Sequence, residues 1–254
     1  MSSSPLMELK DIHKSFGNVD ALKGVSISIK AGECHCLLGD NGAGKSTFIK
    51  IMSGVHQPTK GKININGKEI EINNPREAID VGIATVYQDL ALIPLMSVSR
   101  NFWLGRELTK KVGPVTLMDF EKCDSILMSE MDKIGIKLRD PSQSIGTLSG
   151  GERQTVAIAR AVFFGAKILI LDEPTSALGV YQTSNVLKTI ERVREKGVAV
   201  VFISHNVSHA LAVGDKFTVL SRGETLGTAK AGEIDFQELQ LMMSGNKELS
   251  ELKK

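Results

Sequence analysis

The stretch Gly39-Asp40-Asn41-Gly42-Ala43-Gly44-Lys45-Ser46-Thr47 constrains this chain more than any other. It follows the apolar run Cys34–Leu38, which reads as a strand, and opens Thr47–Ser53, which reads as a helix stopped by Gly54. A strand, a glycine-rich loop and a helix N-terminus aim backbone N–H groups and the positive end of a helix dipole at one point. That point suits a triphosphate. Gly39, Gly42 and Gly44 let the backbone wrap closely, Lys45 can reach the β/γ oxygens, and the Ser46 hydroxyl can ligate Mg2+. The chain is therefore expected to bind ATP or GTP.

The remaining patterns predict an α/β fold around this loop. Leu6–Phe16 and Ala21–Ile29 read as β segments joined at Gly17–Asn18, and Ile63–Ile72 as a hairpin around Asn66–Gly67, together an antiparallel sheet beside a nucleotide core. From Asp119, a good N-cap, the residues Phe120, Cys123, Leu127, Met131 and Ile134 recur at helical spacing, which predicts a helical insert from Asp89 to Phe164. The aliphatic runs Ile168–Leu171 and Val198–Ile203 flank the helical stretch Val180–Lys196, stopped by Gly197, and imply a right-handed parallel crossover. The expected organisation is one domain over 1–254. Residues 1–88 and 165–245 form the nucleotide core with its β part, 89–164 the helical insert, and 246–254 a polar tail.

Composition narrows the classes. With 31 Lys and Arg against 29 Asp and Glu, the formal charge of +2 gives no bulk electrostatic reason to bind nucleic acid. Met1–Lys10 has no apolar signal region and Val198–Ile203 is too short to span a bilayer, so the chain is expected to be soluble and cytoplasmic. Three cysteines fit a reducing compartment. In Cys34-His35-Cys36, strand alternation sends His35 to the face opposite both cysteines, which argues for packing rather than metal binding.

Two further motifs carry chemistry. Ile168-Leu169-Ile170-Leu171-Asp172-Glu173 is an apolar strand ending in two acids, placed to hold Mg2+ through water at Asp172 and to polarise an attacking water at Glu173. Leu148-Ser149-Gly150-Gly151-Glu152-Arg153-Gln154 leads into a helix over Glu152–Phe164, and its serine and glycines can face a second phosphate or simply cap that helix.

These motifs in this order, followed by Ser204-His205 after a β-branched strand, resemble the nucleotide-binding domain of ATP-binding-cassette (ABC) transporters. The resemblance covers nearly the whole chain and implies the ABC ATPase fold: a P-loop core, an N-terminal antiparallel β subdomain and an inserted α-helical subdomain. It also implies a head-to-tail dimer with a second copy, each ATP being held by one chain's loop and the other's Ser149, Gly150 and Gly151. By the same resemblance Phe16 stacks on adenine, Gln88 senses Mg2+ and water, Glu173 is the catalytic carboxylate and His205 is the switch histidine. One departure stands out: Gly179 follows Pro174-Thr175-Ser176-Ala177-Leu178 where the family usually has Asp. The segment Val86–Leu92, with Pro94, Ser97-Val98, Asn101 and Leu104–Glu107, is similar to the ribose/xylose/fructose group of bacterial sugar importers. That similarity implies an ATPase at the cytoplasmic face of the membrane, working with permease subunits and a secreted or periplasmic sugar-binding protein. The permease contact is expected near Gln88–Arg106, where the apolar residues Ile93, Leu95, Phe102 and Trp103 either meet the permease or pack the insert. An importer for another solute, an exporter ATPase and a soluble cassette ATPase remain alternatives. A GTPase is disfavoured, because Asn246-Lys247 lacks the following aspartate that guanine recognition requires.

Overall fold

The computed structural model describes residues 4–136 and 138–244, so the expected polar tail lies outside the described residues. In chain order, β1 (Met7–Phe16), β2 (Val19–Ile29) and β3 (Cys34–Leu38) lead to α1 (Lys45–Met52). Then come β4 (Lys60–Ile65), β5 (Lys68–Ile70), α2 (Pro75–Asp80), β6 (Ile83–Val86) and α3 (Val98–Trp103). A small hairpin of β7 (Thr109–Val112) and β8 (Val115–Met118) precedes α4 (Phe120–Lys133) and α5 (Gly150–Phe163). The chain continues through β9 (Ile168–Asp172), α6 (Val180–Glu195), β10 (Ala199–Ser204) and α7 (Val207–Val213) to β11 (Lys216–Ser221), β12 (Glu224–Lys230) and α8 (Phe236–Met243).

Two larger sheets result. β2-β1-β4-β5 form an antiparallel sheet, whose β4–β5 turn uses Asn66 and Gly67 at φ 51° and 76°, the left-handed pair that a two-residue hairpin requires. The second sheet has the order β12-β11-β3-β10-β9-β6 and is parallel except for the β11–β12 hairpin. Its central strands are near-continuous apolar runs because both faces are covered. Alternation divides them between two cores. Leu37, Ile168, Ile170, Val201 and Ile203 face α1 and the antiparallel sheet, while Cys36, Leu38, Leu169, Leu171 and Phe202 face the layer containing α6 and α7. Each such side chain contributes roughly 1.5–3 kcal/mol on full burial.

Residues 89–164 gather a third core from α3, α4 and α5, and the two-sided helix α5 joins it to the main body. Cys123, Leu127, Met131 and Ile134 are buried as their spacing predicts. Phe120 is not: it sits at the first position of α4 with 52% of its surface exposed. The β7–β8 hairpin is a departure from the all-helical reading of this segment.

Candidate active site

Register brings the predicted site residues to one edge. Leu38 pairs with Ser204, Ile203 with Asp172, and Val86 with Leu171. The residues that follow these strands, Gly39, His205, Glu173 and Tyr87-Gln88, therefore leave the parallel sheet side by side at its carboxyl end, where α/β sheets place ligands. Gln88 is exposed there.

The phosphate loop is shaped by backbone conformations that only glycine adopts cheaply. Gly42 and Gly44 have φ of 80° and 105°, and Gly44 is the left-handed N-cap of α1. A Cβ on Gly44 would stand 2.9 Å from both the Ala21 carbonyl oxygen and Leu22 Cδ2. The loop is clamped from outside as well, since the Gly223 N–H donates to the Ala43 oxygen at 3.0 Å and the Lys23 N–H to the Gly223 oxygen at 2.8 Å. Inside it, Lys45 Nζ donates to the Gly39 and Asp40 carbonyls at 2.6 and 3.0 Å. Burial pushes the Lys45 pKa down, opposed by the charges of Glu173, Asp40 and Asp172. The loop and α1 line a cavity of about 500 Å³ completed by Val19, Asp20, Ala21, Lys23 and Arg222.

Asp172 and Glu173 differ in setting. Burial raises the Asp172 pKa, the neighbouring Glu173 raises it further, and Lys45 and Lys50 oppose the shift. Glu173 has a left-handed backbone at φ 49°, and its Oε1 accepts from His205 Nδ1 at 2.9 Å. Among the described residues no cluster of three or more His, Cys, Asp and Glu can hold a metal. A hydroxyl at Ser46 and a carboxylate at Asp172 nevertheless fit Mg2+, an ion usually held by one or two protein oxygens together with substrate phosphates and water.

Three sets of expected residues lie outside the lining of the loop cavity. Phe16 is at the rim, packed edge-on against His56 with a centroid separation of 5.3 Å, and its hairpin partner Val19 lines the loop cavity. Ser149, Gly150 and Gly151 do not line that cavity. Ser149 caps α5 in a capping box with Glu152, its Oγ donating to Glu152 Oε2 at 2.7 Å. Phe102 and Trp103, in the segment of the expected membrane-subunit contact, are buried in the third core, where Trp103 Nε1 donates to the Cys123 oxygen at 3.0 Å. Leu95, by contrast, is 94% exposed and Ile93 is exposed beside it.

Sequence reasoning missed Lys23 and Arg222 at the loop cavity. Ser221-Arg222-Gly223-Glu224 carries a turn signal, with Arg222 and Gly223 at φ 50° and 83°, but nothing local says which loop the turn will meet.

A family profile described as "ABC transporter" matches residues 22–176. The xylose/arabinose import ATP-binding protein of Sulfolobus acidocaldarius is 43% identical over 95% of this chain and 94% of its own length. The ribose import ATP-binding protein of Bacillus subtilis is 38% identical over 96% of this chain, and the chain spans about half of that relative, 49%. Among solved structures, the ADP conformation of MJ1267, an ATP-binding cassette of an ABC transporter, superposes with a TM-score of 0.81 at 25% identity, covering 98% of each chain. The dimeric post-hydrolysis state of the cassette MJ0796 bound to ADP and Pi gives 0.72 at 27% identity over 90% of this chain and 100% of that one. Matched over most of its length in sequence and in fold, this chain belongs to the ABC transporter family as an ATP-hydrolysing cassette.

Proposed function

We propose that the chain binds ATP with Mg2+ on Gly39–Thr47 and hydrolyses it at Glu173 to power import of a monosaccharide. The observation that carries this reading is the shared strand edge, which sets the phosphate loop, His205, Asp172-Glu173 and Gln88 in that order along one end of the parallel sheet. Lys45 exchanges its two backbone carbonyls for the β/γ oxygens, and Phe16 stacks on the adenine ring. Ser46, Asp172 and Gln88 would hold Mg2+ together with the nucleotide, and the ion would supply charge neutralisation for phosphoryl transfer. Glu173 orients the attacking water and accepts its proton, while His205 holds that carboxylate and contacts the γ-phosphate. Phosphoryl transfer is mostly positioning and charge stabilisation, so such a constellation suffices.

Ser149, Gly150 and Gly151 complete the site of a second copy, in a head-to-tail dimer that encloses two ATPs. The dimeric cassette among the structural neighbours supports this arrangement. The import names of the relatives support a monosaccharide as cargo, permease subunits as membrane partners and a secreted sugar-binding protein as the donor. No helix among the described residues is long and apolar enough to cross a membrane. On this reading the chain works as a peripheral subunit at the cytoplasmic face, with exposed Ile93 and Leu95 as its contact with the permease.

Glu173→Gln tests the assignment. Binding should survive, while hydrolysis slows by about 10²–10⁴-fold, the usual worth of general-base catalysis. ATP should then shift the purified variant from monomer to dimer in size-exclusion chromatography. Phosphate release at the wild-type rate would remove Glu173 from the mechanism.

A further inference from the structure

The loop from Glu173 to Leu178 joins β9 to α6 and contains two non-glycine residues with left-handed backbone, Glu173 at φ 49° and Ala177 at φ 57°. Such conformations persist only where the surroundings over-determine them. Two backbone bonds help: the Glu173 N–H donates to the Ile203 oxygen at 3.1 Å and the Ser176 N–H to the Glu173 oxygen at 3.0 Å. Two side-chain ties add to them. One is His205 with Glu173. The other is a bond of 2.9 Å between Thr175 Oγ1 and His209 Nδ1, with Thr175 only 4% exposed.

His209 is itself firmly placed. Its N–H donates to Oδ1 of Asn206, the N-cap of α7, at 3.1 Å, and the Asn206 N–H donates to Ser204 Oγ at the end of β10 at 3.0 Å. A hydrogen-bonded chain thus runs from β10 through the helix cap and the His209 ring to the loop that bears the catalytic carboxylate. Burial and the nearby His205 lower the His209 pKa, opposed by Glu173, so the ring is neutral near pH 7 and its Nδ1 can accept the threonine proton. Lys188 and Glu191 of α6 line the same cavity as His209.

We propose that His209 is a positioning residue for ATP hydrolysis: by holding the Thr175 hydroxyl it fixes the loop that carries Glu173, keeping that carboxylate in place against His205 and the attacking water. The proposal rests on the catalytic assignment of Glu173. Nucleotide binding should be spared, because the phosphate loop follows a different strand and is held by its own contacts to Gly223 and Lys45.

The test uses the full chain and compares His209→Ala, His209→Asn, Thr175→Val and Thr175→Ser in steady-state hydrolysis, ATP-binding calorimetry and thermal melting. His209→Ala and the near-isosteric Thr175→Val should lower kcat by about 10- to 100-fold, the scale of a small misplacement of a reacting group, with KM and ATP affinity unchanged. His209→Asn keeps a polar atom where Nδ1 stood and Thr175→Ser keeps the hydroxyl, so both should recover most of the rate. The double variant His209→Ala/Thr175→Val should be no slower than the slower single one. Wild-type kcat in Thr175→Val, parallel loss of affinity and rate, or a His209→Asn as slow as His209→Ala would each overturn the positioning role. Glu173→Gln in the same assay separates the two claims. If it hydrolyses at the wild-type rate, the assignment of Glu173 falls and takes this proposal with it, whereas a slow Glu173→Gln beside an unaffected His209→Ala refutes the positioning role alone.

Discussion

Gly42 in the phosphate loop has a left-handed backbone and open space where a Cβ would stand, whereas Gly151 in α5 has no such backbone, and a Cβ there would lie 3.0 Å from Gln182 Cβ. Gly150 is similarly crowded, with Leu178 Cδ2 2.8 Å from the corresponding point. At Gly42 glycine is required for conformation alone, and at Gly44 for conformation and close approach together. At the start of α5 it only lets the helix approach α6, so the same residue type in the two glycine-bearing motifs answers to different physics. The contrast extends to the proposed function: the loop shapes a cavity within its own chain, while Ser149 and its glycines cap and pack a helix and would meet a phosphate only in the proposed dimer.

The strongest way to break that contrast is at Lys45. Lys45→Ala would remove the charge-assisted bonds to the phosphates that the proposed site requires, so ATP affinity in calorimetry should fall by about 10²–10⁴-fold. Unchanged affinity would show that the loop is not the nucleotide site. Ser149→Arg should behave oppositely, leaving affinity intact while hydrolysis drops by about 10²-fold, the scale of losing one donor to a reacting anion. Equal losses of affinity and rate would mean that Ser149 acts within its own chain.

Much of this architecture was legible because the informative segments obey strong local rules. The buried strands Cys34–Leu38, Ile168–Asp172 and Ala199–Ser204 are short apolar runs bounded by turns, and Asp119 and Asn66-Gly67 sit where cap and hairpin chemistry put them. What was not legible depends on tertiary contact. The β7 strand Thr109-Lys110-Lys111-Val112 is exposed throughout and carries no apolar alternation to reveal it. Phe102 and Trp103 look alike as surface anchors or core, and only the packing of Phe163 and Phe164 against them decides for the core. Thr175 and His209 lie 34 residues apart, and no spacing rule announces their contact.

His35 gives a smaller effect on the strand that leads into the loop. Its buried ring faces away from the core of Cys34 and Cys36, as alternation predicts, with Nε2 2.8 Å from Thr218 Oγ1. Burial first, then Lys216, lowers its pKa from 6.5 to about 3. Below pH 6.5 the unfolded chain binds a proton that the folded one refuses. Stability should therefore be lost as pH falls from 6.5 towards 3, by at most ~1.4 kcal/mol per pH unit. Glu33, raised by burial, opposes this trend over its own titration range. Urea midpoints of wild type and His35→Leu between pH 4 and 7 isolate the histidine's share, and parallel curves would assign the acid sensitivity to other groups.

Gly179 provides the finest test, because it is a glycine with neither of the two reasons found above. Its φ and ψ of −68° and 163° suit any residue, nothing lies within 4 Å of an added Cβ, and as N-cap of α6 it offers no side-chain acceptor. Asp, the residue usual in the family, would enter without strain and could accept from an open N–H of the first turn, while its charge complements the helix dipole. Replacing an N-cap Gly by Asp is worth only a few tenths of a kcal/mol, so Gly179→Asp should raise the thermal midpoint slightly. The same variant should leave ATP affinity unchanged, since residue 179 does not line the loop cavity. A destabilised variant would show that the glycine is needed for its backbone after all, and a change in affinity would tie this loop to nucleotide binding within the chain.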